Sequence, residues 1–351
     1  MKRAGKKNTN PPSVDLLALA ECVEQFPTKT IVLLGDFVCD EFQYGEISRV
    51  SREAPVLILK HRETQLFPGG GANAANNLAA LRARVLPVTV VGDDAAGEAL
   101  IAHFRRAGID ISGMICVKDW PTPTKTRFLA GWAHTTAQQV LRVDWEPKSP
   151  LPESVHDKLR EYLFKKLKRA DALAVSDYGF GAASPELVRD ATSKRKDSLP
   201  VTLDARYQLH RYAKAGITSA TPNEAEMEAL HGITIGQNLD ELKRAGQATL
   251  AAMKLEGLLV TRGRHGMALF EGRNVTHIPV YGSDQAVDVT GAGDTVLAAY
   301  TLALACGASA LEAAHIANIA GGLVVMKRGT ATVPQEELLG AIRKEASGAA
   351  S

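Results

Sequence analysis

Short apolar runs alternate with stretches of helical period along most of this chain. TIVLLGD (30–36) reads as a buried strand, ANAANNLAALRA (72–83) as a helix, VLPVTVVGDD (85–94) as a strand and AAGEALIAHFRRAG (95–108) as a helix. The alternation resumes with the strand DALAVSDYG (171–179), the helix SPELVRDATSKRK (184–196) and the strand LPVTLDA (199–205). Two helical stretches, 223–232 and 239–257, precede the strand LLVTRG (258–263). Such alternation predicts an α/β fold, a mostly parallel sheet with helices on both faces.

Two segments break the pattern. Residues 41–65 and 124–146 mix polar and apolar positions with no helical period, and they predict a smaller second sheet over one edge of the core. Ligands of open α/β sheets bind outside the carboxyl ends of the strands, so this sheet is expected to act as a lid. An apolar sheet projecting from an edge tends to pair with its own copy, which predicts a homodimer through the lid. Residues 1–12 and the terminal KEASGAAS read as disordered tails, and the basic stretch 158–170 as a solvated helix face.

Composition narrows the partners. With 41 basic and 39 acidic residues the net charge is +2, which gives no global field for nucleic acid. No apolar run reaches the ~18 residues of a membrane span, and no apolar stretch follows the basic N-terminus, so a cytoplasmic protein without a membrane partner is expected. The four cysteines, Cys22, Cys39, Cys116 and Cys306, form no CxxC and read as reduced core thiols.

Polar residues gather where the predicted strands end: Asp36 and Asp40, Asp177, Asn223, and Thr261 to Gly263. In FPGGGANAANNLAAL (67–81), consecutive glycines admit a close backbone approach, and Asn73 and Asn76 are placed to bond hydroxyls. Neither GxGxxG nor GxxxxGK[ST] occurs. Phosphate chemistry would therefore need another device, and DVTGAGD (288–294) supplies one. The unobstructed N–H groups of Gly291, Ala292 and Gly293 form a nest for anionic charge at a helix start, with the Asp294 carboxylate next to it as a general base. Taken alone, the segment is also an ordinary helix entry.

DVTGAGDT resembles the C-terminal signature of the ribokinase-like (PfkB) carbohydrate kinases, and PGGGANAANNLAALRA (68–83) resembles their N-terminal one. TPNEAE (221–226), TRGRHG (261–266) and ANIAGGLVVMKRGT (317–330) resemble further motifs of that family, in order. The resemblance implies a ribokinase-like three-layer α/β/α sandwich over 30–340, with a β lid from about 41–65 and 122–146. A tail with a short helix (1–29) would precede it, and a tail (341–351) would follow.

The resemblance also implies ATP, Mg²⁺ and a monovalent cation such as K⁺, with Asp294 as base and Gly291, Ala292 and Gly293 as the anion hole. It places Asp36, Asp40, Gly70, Gly71, Asn73, Arg127, Gln139 and Asp177 on the sugar side. Asn223, Glu226, Thr261, Gly263, Gly266 and Asn318 would serve the nucleotide. Glu226 would hold Mg²⁺ indirectly, and Asp288 the monovalent cation.

Within the family, GDFVCDEFQYGEISRVSREAPVLILK, the 124–146 segment and SDYGFG resemble the bacterial D-glycero-D-manno-heptose-7-phosphate kinases of lipopolysaccharide heptose synthesis. Those often carry a fused adenylyltransferase, for which this chain has no room, so a stand-alone kinase is expected. Two positions depart from their pattern: Phe180 stands in place of a lysine in SDYxKG, and DARY (204–207) in place of DPKG. Both remove a lysine, and Arg206 only partly replaces one. A kinase of another sugar, sugar phosphate or cyclitol therefore stays open, as does a nucleotide-binding regulatory protein without turnover. The intact Gly-Ala-Gly-Asp and Asn-x-x-Glu argue against the last.

Overall fold

Within the first strand, β1 (Thr30–Gly35), Ile31 and Leu33 pack into one apolar cluster, and Val32 and Leu34 into another on the opposite side. A strand with both faces buried must lie inside a sheet covered twice. The computed structural model describes residues 14–132, 137–193, 199–283 and 285–349.

The elements follow in chain order. Helix α1 (Leu16–Glu24) precedes β1, and β2 (Phe37–Val50), β3 (Leu57–Gly70), α2 (Gly71–Ala80), β4 (Arg84–Gly92) and α3 (Ala95–Arg106) follow it. Then come β5 (Met114–Val117), β6 (Thr124–Gly131), β7 (Gln138–Trp145), α4 (Glu153–Leu167), β8 (Ala172–Asp177), α5 (Pro185–Thr192) and β9 (Val201–Ala205). Beyond these lie β10 (Ser219–Ala220), α6 (Glu224–His231), α7 (Leu239–Met253), β11 (Gly257–Thr261), β12 (Met267–Glu271) and β13 (Asn274–Ile278). Three helices, α8 (Ala292–Ala305), α9 (Ala310–Val324) and α10 (Gln335–Ala349), close the chain.

The main sheet runs β13-β12-β11-β10-β9-β8-β1-β4-β5 and is parallel except at β12 and β13. Residues of α1, α2, α3, α8, α9 and α10 bury one face, and those of α4 to α7 the other. This is the three-layer α/β/α arrangement. The second sheet runs β3-β2-β6-β7. It grows out of the first, because Asp36 alone separates β1 from β2. Its strands β2 and β3 start and end deeper than the lid pattern suggested, reaching Phe37 and Gly70.

Some expectations need correction. The C-terminal tail is helix as far as Ala349, because Leu338 and Ile342 of α10 are fully buried and hold its first turns. The basic face of α4 is not wholly solvated. Lys166 is buried and donates to Asp110 and to Ser112 Oγ, the latter at 2.7 Å. Cys22 and Cys39 are core thiols, whereas Cys116 on the edge strand β5 is exposed and Cys306 is half-buried beside Cys22. Residues 1–12, 133–136 and 194–196, part of the expected tail, lid and helix, lie outside the described residues. No helix among the described residues is long and apolar enough to cross a membrane.

Packing of α7 on the sheet depends on the bare backbone of Gly246. A Cβ there would lie 2.3 Å from the Phe270 ring on β12. Gly246→Ala should lower stability by about 1–3 kcal/mol despite the better helix propensity of alanine. A lower urea midpoint with an unchanged slope is the expected reading.

Candidate active site

Parallel pairing places Gly35 opposite Ser176, so the ends of β1 and β8 present Asp36 and Asp177 side by side. Asp36 is buried and accepts three backbone N–H bonds, from Tyr178 (2.9 Å), Phe180 (2.9 Å) and Ala182 (2.8 Å). Burial and the neighbouring Asp177 push its carboxyl up to about 7, against the pull of those amides. Both oxygens thus shape the 178–182 turn. Asp36 builds the site's wall, with one amide on Oδ1 and two on Oδ2. Asp177 likewise takes the Tyr212 hydroxyl at 2.7 Å and the Gly179 amide at 2.8 Å.

The loop before α8 meets the first turns of α2. Gly291 has φ 75°, and a Cβ on it would lie 2.4 Å from Asn73 Nδ2, so a residue without a side chain is required. That close approach lets Asn73 Nδ2 donate to Asp294 Oδ2 at 2.8 Å and to the Gly291 carbonyl at 3.3 Å. The Asn73 amide is itself held. Asn77 Nδ2 donates to its carbonyl at 3.0 Å and to its Oδ1 at 3.2 Å, while Thr295 Oγ1 donates to Asn77 Oδ1 at 2.9 Å. Asn76, by contrast, bonds His103 at 3.0 Å and leaves the site. On the other side, the Tyr178 hydroxyl donates to Asp294 Oδ1 at 3.1 Å.

Asp294 is only 3% exposed. Burial raises its carboxyl to about 7, opposed by the Asn73 and Tyr178 hydrogen bonds, with Asp40 raising and Lys125 lowering it. A carboxyl that ionises near neutrality, aimed by two fixed donors, has the properties of a general base. It stands at the N-terminus of α8, immediately after the Gly-Ala-Gly amides.

The lid contributes charge. Asp40 on β2 and Arg127 on β6 form a buried ion pair at 2.6 Å. Lys125 Nζ lies 5.2 Å from the Tyr178 ring centre, and the Arg206 guanidinium lies 5.9 Å from it on the same residue. Burial and the nearby Arg206 depress the Lys125 ammonium, which makes no hydrogen bond or ion pair among the described residues. Asp204, in β9, is pushed well up by burial and by Glu226 and Asp294. Lys125, Tyr178 and Asp204 were not singled out from sequence. Each sits inside a quoted motif, but only the tertiary fold turns it toward Asp294. Gly70 and Gly71 also border the site, the latter through its N–H bond to the Asp36 carbonyl at 2.9 Å. Gln139 stays exposed on β7.

A cavity of about 460 Å³ lies on the far side of the Gly-Ala-Gly loop. Its walls bring together Asn223, Thr261, Gly263, Gly266 and Asn318 with Ala292 and Gly293. Asn318 Nδ2 donates to the Pro279 carbonyl at 2.8 Å. Asn223 and Glu226 cap α6 reciprocally, Glu226 N–H to Asn223 Oδ1 and Asn223 N–H to Glu226 Oε2, both 2.9 Å. Glu226 faces a neighbouring cavity with Arg206 and His210. Asp288 Oδ1 accepts the Thr290 amide and Oδ2 the Gly329 amide, both at 2.9 Å.

A model of the pfkB family carbohydrate kinases matches residues 29–337. The bifunctional protein HldE of Geobacter metallireducens is 38% identical over 316 residues, covering 89% of this chain and 62% of that protein. The protein of the same name from Mesorhizobium japonicum is 36% identical over 338 residues, covering 95% of this chain and 65% of its own length. The chain thus spans less than two thirds of these relatives. Among solved structures, Arabidopsis thaliana ribokinase complexed with ribose and ATP superposes with a TM-score of 0.69 at 20% identity, covering 90% of this chain and 99% of that one. Escherichia coli phosphofructokinase-2 in complex with fructose-6-phosphate gives 0.70 at 19% identity, covering 90% and 98%. These likenesses show a ribokinase-like fold.

The raised Asp294 carboxyl carries a stability signature. A group raised on folding contributes stability that is complete below its unfolded value and is lost as pH rises through about 7. Asn at this position stays neutral and can still bond Asn73 through its oxygen and Tyr178 through its amide. Asp294→Asn should therefore melt close to the parent near pH 4 and above it near pH 8, as read by Tm across roughly that range.

Proposed function

This chain belongs to the pfkB family of carbohydrate kinases, phosphotransferases acting on a sugar hydroxyl, and we propose that its acceptor is D-glycero-D-manno-heptose 7-phosphate, converted with ATP to the 1,7-bisphosphate. The observation that carries the chemistry is Asp294, buried, aimed by Asn73 and Tyr178, and adjacent to the Gly291–Gly293 amides. An acceptor hydroxyl seated against Asp294 gives up its proton as its oxygen attacks the γ-phosphorus. The Ala292 amide is already taken by the Val289 carbonyl at 3.2 Å, so the Gly291 and Gly293 amides and the positive end of α8 would meet the charge that develops on the phosphoryl oxygens.

The nucleotide would occupy the 460 Å³ cavity, with Thr261, Gly263, Gly266 and Asn318 along it and Asn223 toward the phosphates. Magnesium fits the donors on this side. Glu226 Oε2 accepts the Asn223 amide, and among the described residues no three ligating side chains form a cage. Mg²⁺ would ride on the phosphates and its waters, with Glu226 touching the water shell. It supplies neutralisation of phosphate charge. A monovalent cation would lie on the loop beside Asp288.

The acceptor would lie under the lid, against Gly70 and Gly71, with Arg127 and Asp40 as a fixed polar pair. Two unmatched cations, Lys125 and Arg206, favour an acceptor that already carries phosphate. Similarity of the lid and SDYGFG segments to heptose kinases supports the heptose. Phe180 and Arg206, standing where those kinases have lysines, favour a second reading in which another sugar phosphate is used. The lid's outer residues Val56, Leu57, Leu66, Phe67, Leu141 and Trp145 are exposed, which supports a dimer through this sheet.

Asp294→Asn should cost about 10²–10⁴-fold in kcat with ATP affinity unchanged. Near-normal turnover would remove Asp294 from the role of base. In an acceptor panel, heptose 7-phosphate should be turned over far better than the unphosphorylated heptose or common hexoses. Preference for an unphosphorylated sugar would refute the phosphate-site assignment. Light scattering should report a dimer, and a monomer at working concentration would exclude the lid interface.

A further inference from the structure

Among the described residues, Tyr178 touches both the base and the cations of the acceptor side. Its hydroxyl donates to Asp294 Oδ1 at 3.1 Å, and its ring lies beneath Lys125 and beside Arg206. Its main chain is pinned from behind by Asp36 at 2.9 Å. The close approach of Gly70 flanks the ring, where a Cβ would be 3.3 Å from Tyr178 Cδ2.

We propose that Tyr178 is a positioning residue that keeps Asp294 ionised and aimed at the acceptor by hydrogen bonding to one of its oxygens. This rests on reading Asp294 as the base. With Tyr178 on Oδ1 and Asn73 on Oδ2, each oxygen has one fixed donor and keeps a lone pair for an incoming hydroxyl. A buried carboxylate needs such donors, because burial favours its protonated form.

The charges around Asp294 do not do this work by themselves. Asp40 from β2 opposes its ionisation and Lys125 from β6 favours it, while Asp294 itself helps to hold the Asp204 carboxyl on β9 well up. Arg206 faces the Tyr178 ring. The phenol stays a donor, since burial, Asp294 and Asp204 hold it well above its ordinary range. Cations against the ring withdraw electron density and strengthen that donation.

The test uses the full-length chain labelled with ¹³C at aspartate carboxyls, with Asp294→Asn identifying the resonance. In Tyr178→Phe the Asp294 titration should move up by about half a unit to one unit, the worth of one hydrogen bond. Incorporating 3-fluorotyrosine, a more acidic phenol, should move it down, and this second measurement keeps the proposal testable if Tyr178→Phe does not fold. An unmoved titration in either protein would overturn the proposal. No turnover is needed, so the outcome is independent of the kinase reading. Full activity in Asp294→Asn would sink that reading while leaving the Tyr178 titration result intact.

Discussion

Burying the Asp294 carboxylate at the entrance of an apolar helix is the constraint on which the rest of the site depends. Ten successive residues of α8, beginning with Asp294, are buried, so the charge cannot be met by bulk water. It is met by Asn73 and Tyr178. Asn73 in turn needs Asn77, Thr295 and the bare backbone of Gly291, and Tyr178 needs the turn that Asp36 holds. One carboxylate thereby ties α2, α8 and the end of β8 into a single arrangement. A buried polar network of this kind is rigid when every member is satisfied.

The lid extends this arrangement directly from the main sheet. Because β2 continues directly from β1 past Asp36, the position of the lid's base is set by the same residue that shapes the 178–182 turn. Lys125 and Arg127 bring positive charge from the lid, and Arg206 lines a cavity with Glu226. Positive charge on the lid suits an anionic acceptor on that side. Burial is what raises the base toward neutrality, against the Asn73 and Tyr178 hydrogen bonds.

The α/β alternation was legible in the sequence because buried parallel strands are continuous apolar runs. β5, β12 and β13 escaped it: β5 is a four-residue edge strand, and β12 and β13 form an antiparallel pair with no helix between them, outside a strand–helix alternation. The Gly-Ala-Gly-Asp loop and the cavity residues Asn223, Thr261, Gly263, Gly266 and Asn318 were recognisable because each is local motif chemistry. The bracing of Asp36 was not legible, because a carboxylate after a strand looks the same whether or not three amides from far along the chain donate to it. Tyr178 and Lys125 have no local signature, since their partners lie on other elements. The last turns of α10 read as a tail because burial is confined to that helix's earlier residues.

The central claim, that phosphoryl transfer depends on the ionised Asp294 carboxylate, is tested most directly by rapid-quench measurement of a single turnover across pH. With ATP and heptose 7-phosphate saturating, the transfer rate should rise through one ionisation near 7 and level off above it. A rate that is flat with pH, or that has already levelled off near the ordinary carboxylate range of about 4, would contradict the account.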